Sequence, residues 1–565
     1  MTYRRYRMLV LGFRVQVRSG FPSFIANGNK QPGNNSRGTT TFCSTMSAPL
    51  LERPRALSVA LDARPARSAT GSPTEQLRAG SLRALVAFAA YYASRERGCA
   101  PTDARHAVDV DFVDIFWRTL QAFSSGAAVG LAFVSLARSS EVEGAPLVVA
   151  SACNALSAGL DARGKPYLGY LPFAQVISLL AASRAVAQIT AASARRESDP
   201  SVARSLTDAL TRLEDRIADA EVFLDVAVEL GGVARGGTAA LGAAAAAFIV
   251  SGRAAPPRVS SLDYDPVCAV DVSSSGVGGG FAWHEVPVRT FAEAWAVADF
   301  DAFASIPVGE LLSAGWDGPR YKHSADGVHA FVDRFNAVAV WVAAEILAPQ
   351  SPRDRADRVS RFIDIADELR ALNDFAGVAE IVFALRREEV KRLSATWAAV
   401  RAESTAKHTQ LLALVDDRGQ YRTYHAALKK LLAQSAPPPI VPHLGAHTME
   451  ITVVEMQLPE LTDLYYGGPK TAISVKRMRT LWGLVAPLVA MQTRSMAGGG
   501  ESSLPPVDAS REKASRIASA ALRPFFLIAV EEREAADRRL LERSTALEAP
   551  PVATVPPTPS RRGVR

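Results

Sequence analysis

The sequence predicts an all-α fold. Apolar residues recur at spacings of three and four along most of the chain, which is the pattern of a helix with one buried face. The period-two alternation typical of half-buried strands is scarce. A hydrophobic content of 48% over 565 residues is enough for sizeable cores, and this length predicts more than one domain.

Composition divides the chain into five segments. Residues 1–73 are predicted to form a disordered basic leader. Because the first fifty residues are Arg-rich and acid-free, a mitochondrial transit segment is the alternative interpretation. Residues 74–252 predict a helical N-terminal domain and residues 253–284 a Gly/Ser-rich linker. Residues 285–550 predict a second helical domain, and residues 551–565 a Pro-rich disordered tail.

Within the first domain, helical periodicity starts at Thr74 and recurs at Asp111–Phe123, about 170–196 and about 200–232. The Ala-rich run Thr238–Gly252 is too short to cross the roughly 30 Å hydrocarbon core of a bilayer, so it predicts a buried helix.

In the second domain, the segment Glu368–Leu393 predicts a helix that breaks near Asn373 and restarts. Glu310 and Asn373 are polar residues within apolar helices, so they are expected to satisfy buried helix or loop ends. Large apolar residues at helical spacings are expected in the core: Trp316, Phe335, Trp341, Phe362, Leu372, Phe375, Leu393 and Trp397.

Charge and cysteine content exclude several classes of protein. Residues 1–70 carry 11 Lys and Arg against two acids, a net charge of +9, whereas the whole chain has a net charge of +7. The rest of the chain therefore has a net charge of −2, which is close to neutral and predicts no nucleic-acid binding. The four cysteines form no C-x-x-C pair, which predicts neither a disulfide framework nor a zinc knuckle: Cys43, Cys99, Cys153 and Cys268.

The common catalytic patterns are missing. The sequence has no G-x-x-x-x-G-K-[ST] phosphate loop and no G-x-S-x-G nucleophile motif. His443 and His447 have metal-ligand spacing for a helix, but the preceding APPPIVP disfavours a helix there and no third ligand is visible. We therefore expect no metal, no cofactor and no covalent or acid–base chemistry.

Seven ordered blocks over roughly 260 residues resemble the catalytic domain of Ras-type guanine-nucleotide exchange factors. In chain order they are FASIPVGELLSAGW (Phe303–Trp316), the long segment Phe331–Phe375, VKRLSATW (Val390–Trp397), YRTYHAAL (Tyr421–Leu428), PPPIVPHLG (Pro437–Gly445), SVKRMRTL (Ser474–Leu481) and LLERSTALEAP (Leu540–Pro550). Upstream, Leu77–Val86 and Asp111–Ser125 resemble the same family's N-terminal exchanger-motif domain, which in the family braces the catalytic domain.

The resemblance implies an all-helical domain that binds the switch regions of a Ras-type, Rap-type or Ral-type GTPase and inserts a helical hairpin near the nucleotide. The expected hairpin residues are Thr452, Val453, Glu455 and Met456. Met456 stands where the family commonly has its second glutamate, and Glu455 could replace that glutamate only with a shift of one residue, roughly 100° around a helix.

Five further positions are candidate GTPase contacts by the same resemblance: Val332, Ala379, Arg386, Tyr421 and His443. Tyr421 keeps the family's residue, Arg386 stands where an asparagine is usual, and His443 stands where an aromatic residue is usual.

Three hypotheses remain: an active exchange factor, a GTPase-binding scaffold of the same fold without activity, and a helical structural protein whose blocks match by chance. The order and spacing of the blocks disfavour the third. A cytoplasmic location is expected, with recruitment to the inner face of the membrane through the basic leader, the tail or a partner.

Overall fold

The computed structural model describes residues 59–64, 74–95, 111–162, 167–229, 283–312, 316, 325–463, 470–493 and 530–548. Helices dominate these residues, which confirms the predicted all-α class. The α-helices are α1 (Leu82–Arg95), α2 (Phe112–Arg118), α3 (Gly126–Val142), α4 (Pro146–Gly159), α5 (Phe173–Arg196), α6 (Pro200–Glu229), α7 (Val288–Ala304), α8 (Val308–Leu311), α9 (Asp326–Leu347), α10 (Pro352–Ala371), α11 (Phe375–Arg386), α12 (Glu388–Lys391), α13 (Ser394–Ala399), α14 (Ala402–Leu414), α15 (Arg422–Leu432), α16 (Leu444–Gln457), α17 (Val475–Gln492) and α18 (Val530–Leu547).

The chain divides into two compact units. Unit 1 comprises Met1–Tyr264, Ala302–His329 and Leu444–Arg494, and unit 2 comprises Asp265–Asp301, Ala330–His443 and Ser495–Arg565. The domain boundaries predicted from composition stay a prediction. The predicted helix at 238–252 lies outside the described residues, as do the tail and nearly all of the linker.

In unit 1, α3 packs on α5, and α4 packs on α1 and α6. The predicted helical blocks near 170–196 and 200–232 are confirmed by α5 and α6. Among the described helices, α5 is the one long and apolar enough to cross a membrane, but Leu179, Leu180 and Val186 on it are buried within the protein. Core helices of soluble proteins pass the same test of length and hydropathy.

The core of unit 1 contains a close contact between a glycine and a tryptophan. Trp117 is buried and its ring stacks on that of Phe133 with centroids 5.9 Å apart. A Cβ at Gly159 would lie 2.5 Å from the Trp117 indole, so this end of α4 requires glycine.

A small sheet in unit 1 departs from the helical prediction. Its strands are β1 (Val59–Arg64), β2 (Thr74–Gly80), β3 (Leu461–Asp463) and β4 (Lys470–Ser474), in the order β1-β2-β4-β3. The prediction of a helix from Thr74 is wrong as far as Gly80, because β1 and β4 both pair with β2 and supply its backbone hydrogen bonds. The leader prediction likewise fails at 59–64, which pair as β1; the rest of the leader lies outside the described residues.

The core of unit 2 is built around tryptophans. The rings of Trp283 and Phe362 stack 4.8 Å apart, and Trp341 meets both at 5.4 and 5.6 Å. The expectation of a core position is confirmed for six of the eight large residues, whereas Trp316 and Trp397 are only partly buried.

The predicted helix break near Asn373 is confirmed. α10 starts where Ser351 caps Arg353 N and Pro352 supplies the first helical residue, and it ends at Ala371. Asn373 adopts the left-handed conformation at φ 62°, and its carbonyl accepts a hydrogen bond from Val441 N at 3.1 Å. α11 then begins at Phe375, whose N–H donates to the Val441 carbonyl at 2.9 Å.

The last of the seven blocks, Leu540–Pro550, lies at the end of α18 and contacts α12 and α13. Glu548 accepts hydrogen bonds from the backbone N–H groups of Ala395 and Thr396 at 2.9 and 3.0 Å, and it pairs with Arg355 at 2.8 Å. Ser544 Oγ donates to the Glu389 carbonyl at 2.6 Å. These polar contacts satisfy the first N–H groups of α13 and neutralise a fully buried arginine.

Candidate functional site

The predicted hairpin consists of α16 and α17, which pack against each other within unit 1 and are joined through β3 and β4. α16 begins at Leu444, directly after PPPIVPH, because proline removes a backbone donor and disfavours helix in the residue before it. Ser474 starts α17 by accepting a hydrogen bond from Arg477 N at 3.3 Å.

The four candidate hairpin residues differ in their exposure. Val453 is 38% exposed and Met456 is 61% exposed, and their spacing of three places them on the same face of α16. Thr452 is 4% exposed and therefore packs inside unit 1. The hairpin consequently exposes an apolar pair, Val453 and Met456, to solvent.

Glu455 is held by a partner in its own chain. Its carboxylate forms an ion pair with Arg477 on α17, and Arg477 also donates to the carbonyl of Ala122 at 3.3 Å. Arg477 is 6% exposed, so the arginine links α16, α17 and a 3-10 turn at Leu120–Ala122 from inside unit 1. In this arrangement the Glu455 carboxylate is already paired with the guanidinium of Arg477.

Two of the candidate GTPase contacts meet in a ring cluster in unit 2. His443 lies 5.2 Å from the ring of Tyr421, 6.3 Å from Phe335 and 6.1 Å from Phe383, measured between ring centroids. Tyr424 borders the same histidine at 6.2 Å. His443 thus packs as a ring among rings, which accounts for its presence at a position where the family usually has an aromatic residue.

Burial determines the protonation of this cluster. Complete burial, helped by the nearby His425, lowers the pKa of His443 to about 4, so its imidazole is neutral at physiological pH. Burial also raises the pKa of Tyr421 to about 12, with a further contribution from Asp417. The cluster is therefore an uncharged aromatic core.

Arg386, the third candidate, lies at the edge of the cluster. Its guanidinium is 5.3 Å from the centre of the Phe383 ring and 3.7 Å from the Asp417 carboxylate. Val332 is half-buried on α9, and Ala379 on α11 is fully buried. Arg386 and Val332 therefore keep accessible surface in unit 2, whereas Tyr421, Ala379 and His443 lie within it.

The backbone entering α15 is strained beside the cluster. Gln420 and Tyr421 both have positive φ, at 54° and 52°, and neither is a glycine. Such residues cost of order 1–3 kcal/mol each and persist where the surroundings enforce them. Here the Tyr421 N–H bonds to the Asp416 carbonyl at 3.0 Å and its ring is buried against His443.

A comparison with known protein families matches residues 290–479 to the RasGEF domain. The curated relatives include Ras guanine nucleotide exchange factor A of Dictyostelium discoideum, 28% identical over 35% of this chain and 32% of the relative. Ras-specific guanine nucleotide-releasing factor RalGPS1 of Mus musculus is 32% identical over 31% of this chain and 29% of the relative. Residues 290–479 are therefore similar to the RasGEF domain.

The RasGEF match includes all nine candidate site residues and Arg477, but not the N-terminal helices, β1, β2 or α18. The exchanger-motif assignment of the N-terminal helices stays a prediction. The chain spans about a third or less of the length of these curated relatives.

Sequence reasoning missed the contacts of Arg477 with Glu455 and Ala122. The residue stood inside the block SVKRMRTL, but nothing in the local pattern connects it to Glu455 or Ala122. Among the described residues, no group of three or more His, Cys, Asp or Glu side chains could hold a metal ion. His443, one of the two histidines with metal-ligand spacing, lies within the ring cluster of unit 2.

Proposed function

We propose that this protein is a guanine-nucleotide exchange factor that stimulates GDP release from a Ras-family GTPase of the Ras, Rap or Ral type. The proposal is supported by the RasGEF match and by relatives named as Ras guanine-nucleotide exchange or releasing factors. The single observation that carries it is the exposed apolar pair Val453 and Met456, which lies on a hairpin helix joined to α17 by the partly buried ion pair of Glu455 with Arg477.

Exchange requires differential binding and no bond chemistry in the exchange factor. A protein that binds the nucleotide-free GTPase more tightly than the loaded one must weaken nucleotide binding by the same factor. Val453 and Met456 would supply apolar contact near the nucleotide site, and Arg386 with Val332 would contact the switch regions. Tyr421, His443, Ala379 and Thr452 would act by holding these elements in place.

A second candidate function is a GTPase-binding scaffold of the same fold that does not release nucleotide. One observation favours it: Glu455 is already paired with Arg477, and Met456 provides no carboxylate in its place. A hairpin without a free carboxylate lacks the acidic group that the family commonly has at the position of Met456, and it retains the apolar contact alone.

The N-terminal helices of residues 74–252 are proposed to brace the hairpin as an exchanger-motif domain. Within unit 1, the Arg477 contact with Ala122 and the pairing of β2 with β4 support this role. A cytoplasmic location with recruitment to the membrane is part of the same proposal.

The experiment measures release of fluorescent GDP from a panel of Ras, Rap and Ral type GTPases with the full-length chain. We expect acceleration for at least one GTPase and a loss of about 100-fold for Val453→Asp, because a charge replaces apolar surface at the contact. Val222→Asp, a change at a similarly exposed valine on α6, is the matched control and should leave the rate unchanged.

Binding to the nucleotide-free GTPases separates the two candidates. A chain that binds one of them but accelerates release from none is the inert scaffold. If it neither binds nor accelerates release from any member of the panel, the proposed function is wrong.

A further inference from the structure

Three carboxyl groups and one guanidinium lie together in the interior of unit 2. Asp299 comes from α7, Arg334 from α9, Asp374 precedes α11 and Glu380 lies on α11. Each is less than 9% exposed. Full ionisation would place three negative charges against one positive charge in a region without water access, which is costly.

The described contacts satisfy only part of this cluster. Arg334 pairs with Asp299 and lies 3.9 Å from Glu380, which also accepts a hydrogen bond from Trp295 Nε1 at 2.9 Å. Asp374 Oδ1 accepts from Gly377 N at 2.9 Å and so caps α11. Glu380 is therefore supported by an indole and a guanidinium, and Asp374 by a backbone amide.

Two carboxylate oxygens remain without a donor, and they converge on one place. Both Asp299 Oδ2 and Asp374 Oδ2 are buried and have no hydrogen-bond partner when both acids are ionised. They lie beside Gly377, since a Cβ there would be 3.1 Å from the first and 2.8 Å from the second. The two side chains are close enough to hydrogen-bond to each other, which two carboxylates can do only if one carries a proton.

The electrostatics of the surroundings agree with a retained proton. Burial raises the pKa of Asp374 and Glu380 well above the usual range, and the charge of Asp299 adds to both effects. Burial also raises the pKa of Asp299, against the opposing effect of Arg334. Asp301 on α7 also interacts with the charge of Arg334, but its side chain is exposed to solvent.

We propose that Asp299 and Asp374 share one proton in the folded protein, and that this pair makes the corner between α10 and α11 sensitive to pH. Asp374 sits between Asn373 and Phe375, the two residues whose backbone groups bond to Val441. Loss of the shared proton would place two buried like charges at this corner, and Arg334 pairs with only Asp299 of the two. The corner leads through Val441 to His443 and the ring cluster.

The direction of the effect follows from linkage. An acid with a raised pKa in the folded state binds its proton more tightly there than in the unfolded chain. Its stabilising effect is complete below the unfolded pKa near 4 and is lost as pH rises through the folded pKa. This pair therefore makes the protein less resistant to urea as pH increases, independently of any GTPase.

The test is urea unfolding of the full-length chain, followed by circular dichroism from pH 6 to pH 9. In Asp374→Asn the amide can cap Gly377 through its oxygen and donate to Asp299 through its nitrogen without titrating. We expect the urea midpoint of the wild type to fall over this range and that of Asp374→Asn to fall by less than half as much. Asp357→Asn, at an exposed acid on α10, is the control and should follow the wild type.

An equal fall in the midpoints of wild type and Asp374→Asn overturns the proposal. If Asp374→Asn does not fold, the infrared spectrum of the wild type in heavy water decides. A band from a buried protonated carboxyl group at pH 7, lost as pH rises, is expected. Absence of any such band at pH 7 overturns the proposal.

Discussion

The ring cluster of unit 2 and the hairpin helix α16 of unit 1 both contain candidate contact residues, but they are built in opposite ways. In the cluster, Tyr421 and His443 are buried among other rings. On α16, Val453 and Met456 are exposed, and one ion pair from Glu455 to Arg477 ties the helix to α17. The comparison separates candidate residues that are buried in the core from candidate residues that are exposed to solvent.

The largest expected effect concerns the cluster. Phe335→Ala removes a buried ring that stacks on His443, so we expect a loss of about 3–5 kcal/mol in the free energy of unfolding. Urea denaturation measures it. Met456→Ala on the exposed face of α16 is the control and should change stability by less than about 0.5 kcal/mol. Equal stability losses in the two variants would remove the distinction between the two regions.

The next largest effect is the pH dependence of folding stability that His443 causes. The lowered pKa of His443 means that the unfolded chain binds a proton more readily than the folded one. The stability from this neutral imidazole is complete above about pH 6.5 and is lost as pH falls towards 4, by about 2 kcal/mol at pH 5.

His443→Phe keeps a ring and removes the titration, and it also removes a buried Nε2 that has no hydrogen-bond partner. Urea midpoints at pH 7 and pH 5 should therefore differ less for His443→Phe than for the wild type. An unchanged difference would show that the imidazole is already charged or exposed at neutral pH. This slope is opposite in sign to that of the Asp299 and Asp374 pair.

The smallest effect concerns the hairpin tether. Arg477→Ala breaks the link from α17 to Glu455 and to the Ala122 carbonyl, so α16 loses one constraint on its orientation. We expect GDP release by an active wild type to slow about tenfold, close to 1.4 kcal/mol. Arg477→Lys keeps the positive charge but loses the several donors of the guanidinium. Its GDP-release rate should lie between those of the wild type and Arg477→Ala.

A GDP-release rate in Arg477→Ala equal to that of the wild type would show that the ion pair does not orient the hairpin. A parallel urea titration separates a loss of orientation from a loss of folding. A full loss of structure in Arg477→Ala would instead make Arg477 a residue required for folding.

Much of the fold was predictable because helices carry a local signal. The break at Asn373 and the helices at 173–196 and 200–229 follow from spacing and from residues that end helices. Glu310 was predicted to satisfy a helix or loop end, and it accepts from the N–H groups of Gly327 and Val328 at 3.2 and 2.9 Å. Each prediction needed information from only a few turns of the chain.

The candidate site was predictable only in part. The resemblance named Tyr421 and His443, but their burial depends on rings from α9 and α11. The strand at Thr74–Gly80 was missed because its partners lie at residues 59–64 and 473–474, one of them about 400 residues away. Propensity cannot detect such a partner, since strand formation here depends on long-range pairing.

The sequence by itself determined the helical class, the order of the blocks that resemble a RasGEF domain and the nearly neutral charge of the chain after residue 70, because these properties are local or additive along the chain. Tertiary structure alone decided that Glu455 pairs with Arg477, that His443 is a neutral ring, and that Asp299 meets Asp374 beside Gly377. These features depend on which side chains folding brings together and on the water that it excludes. The spacing of residues along the chain predicts neither the side-chain contacts nor the exclusion of water.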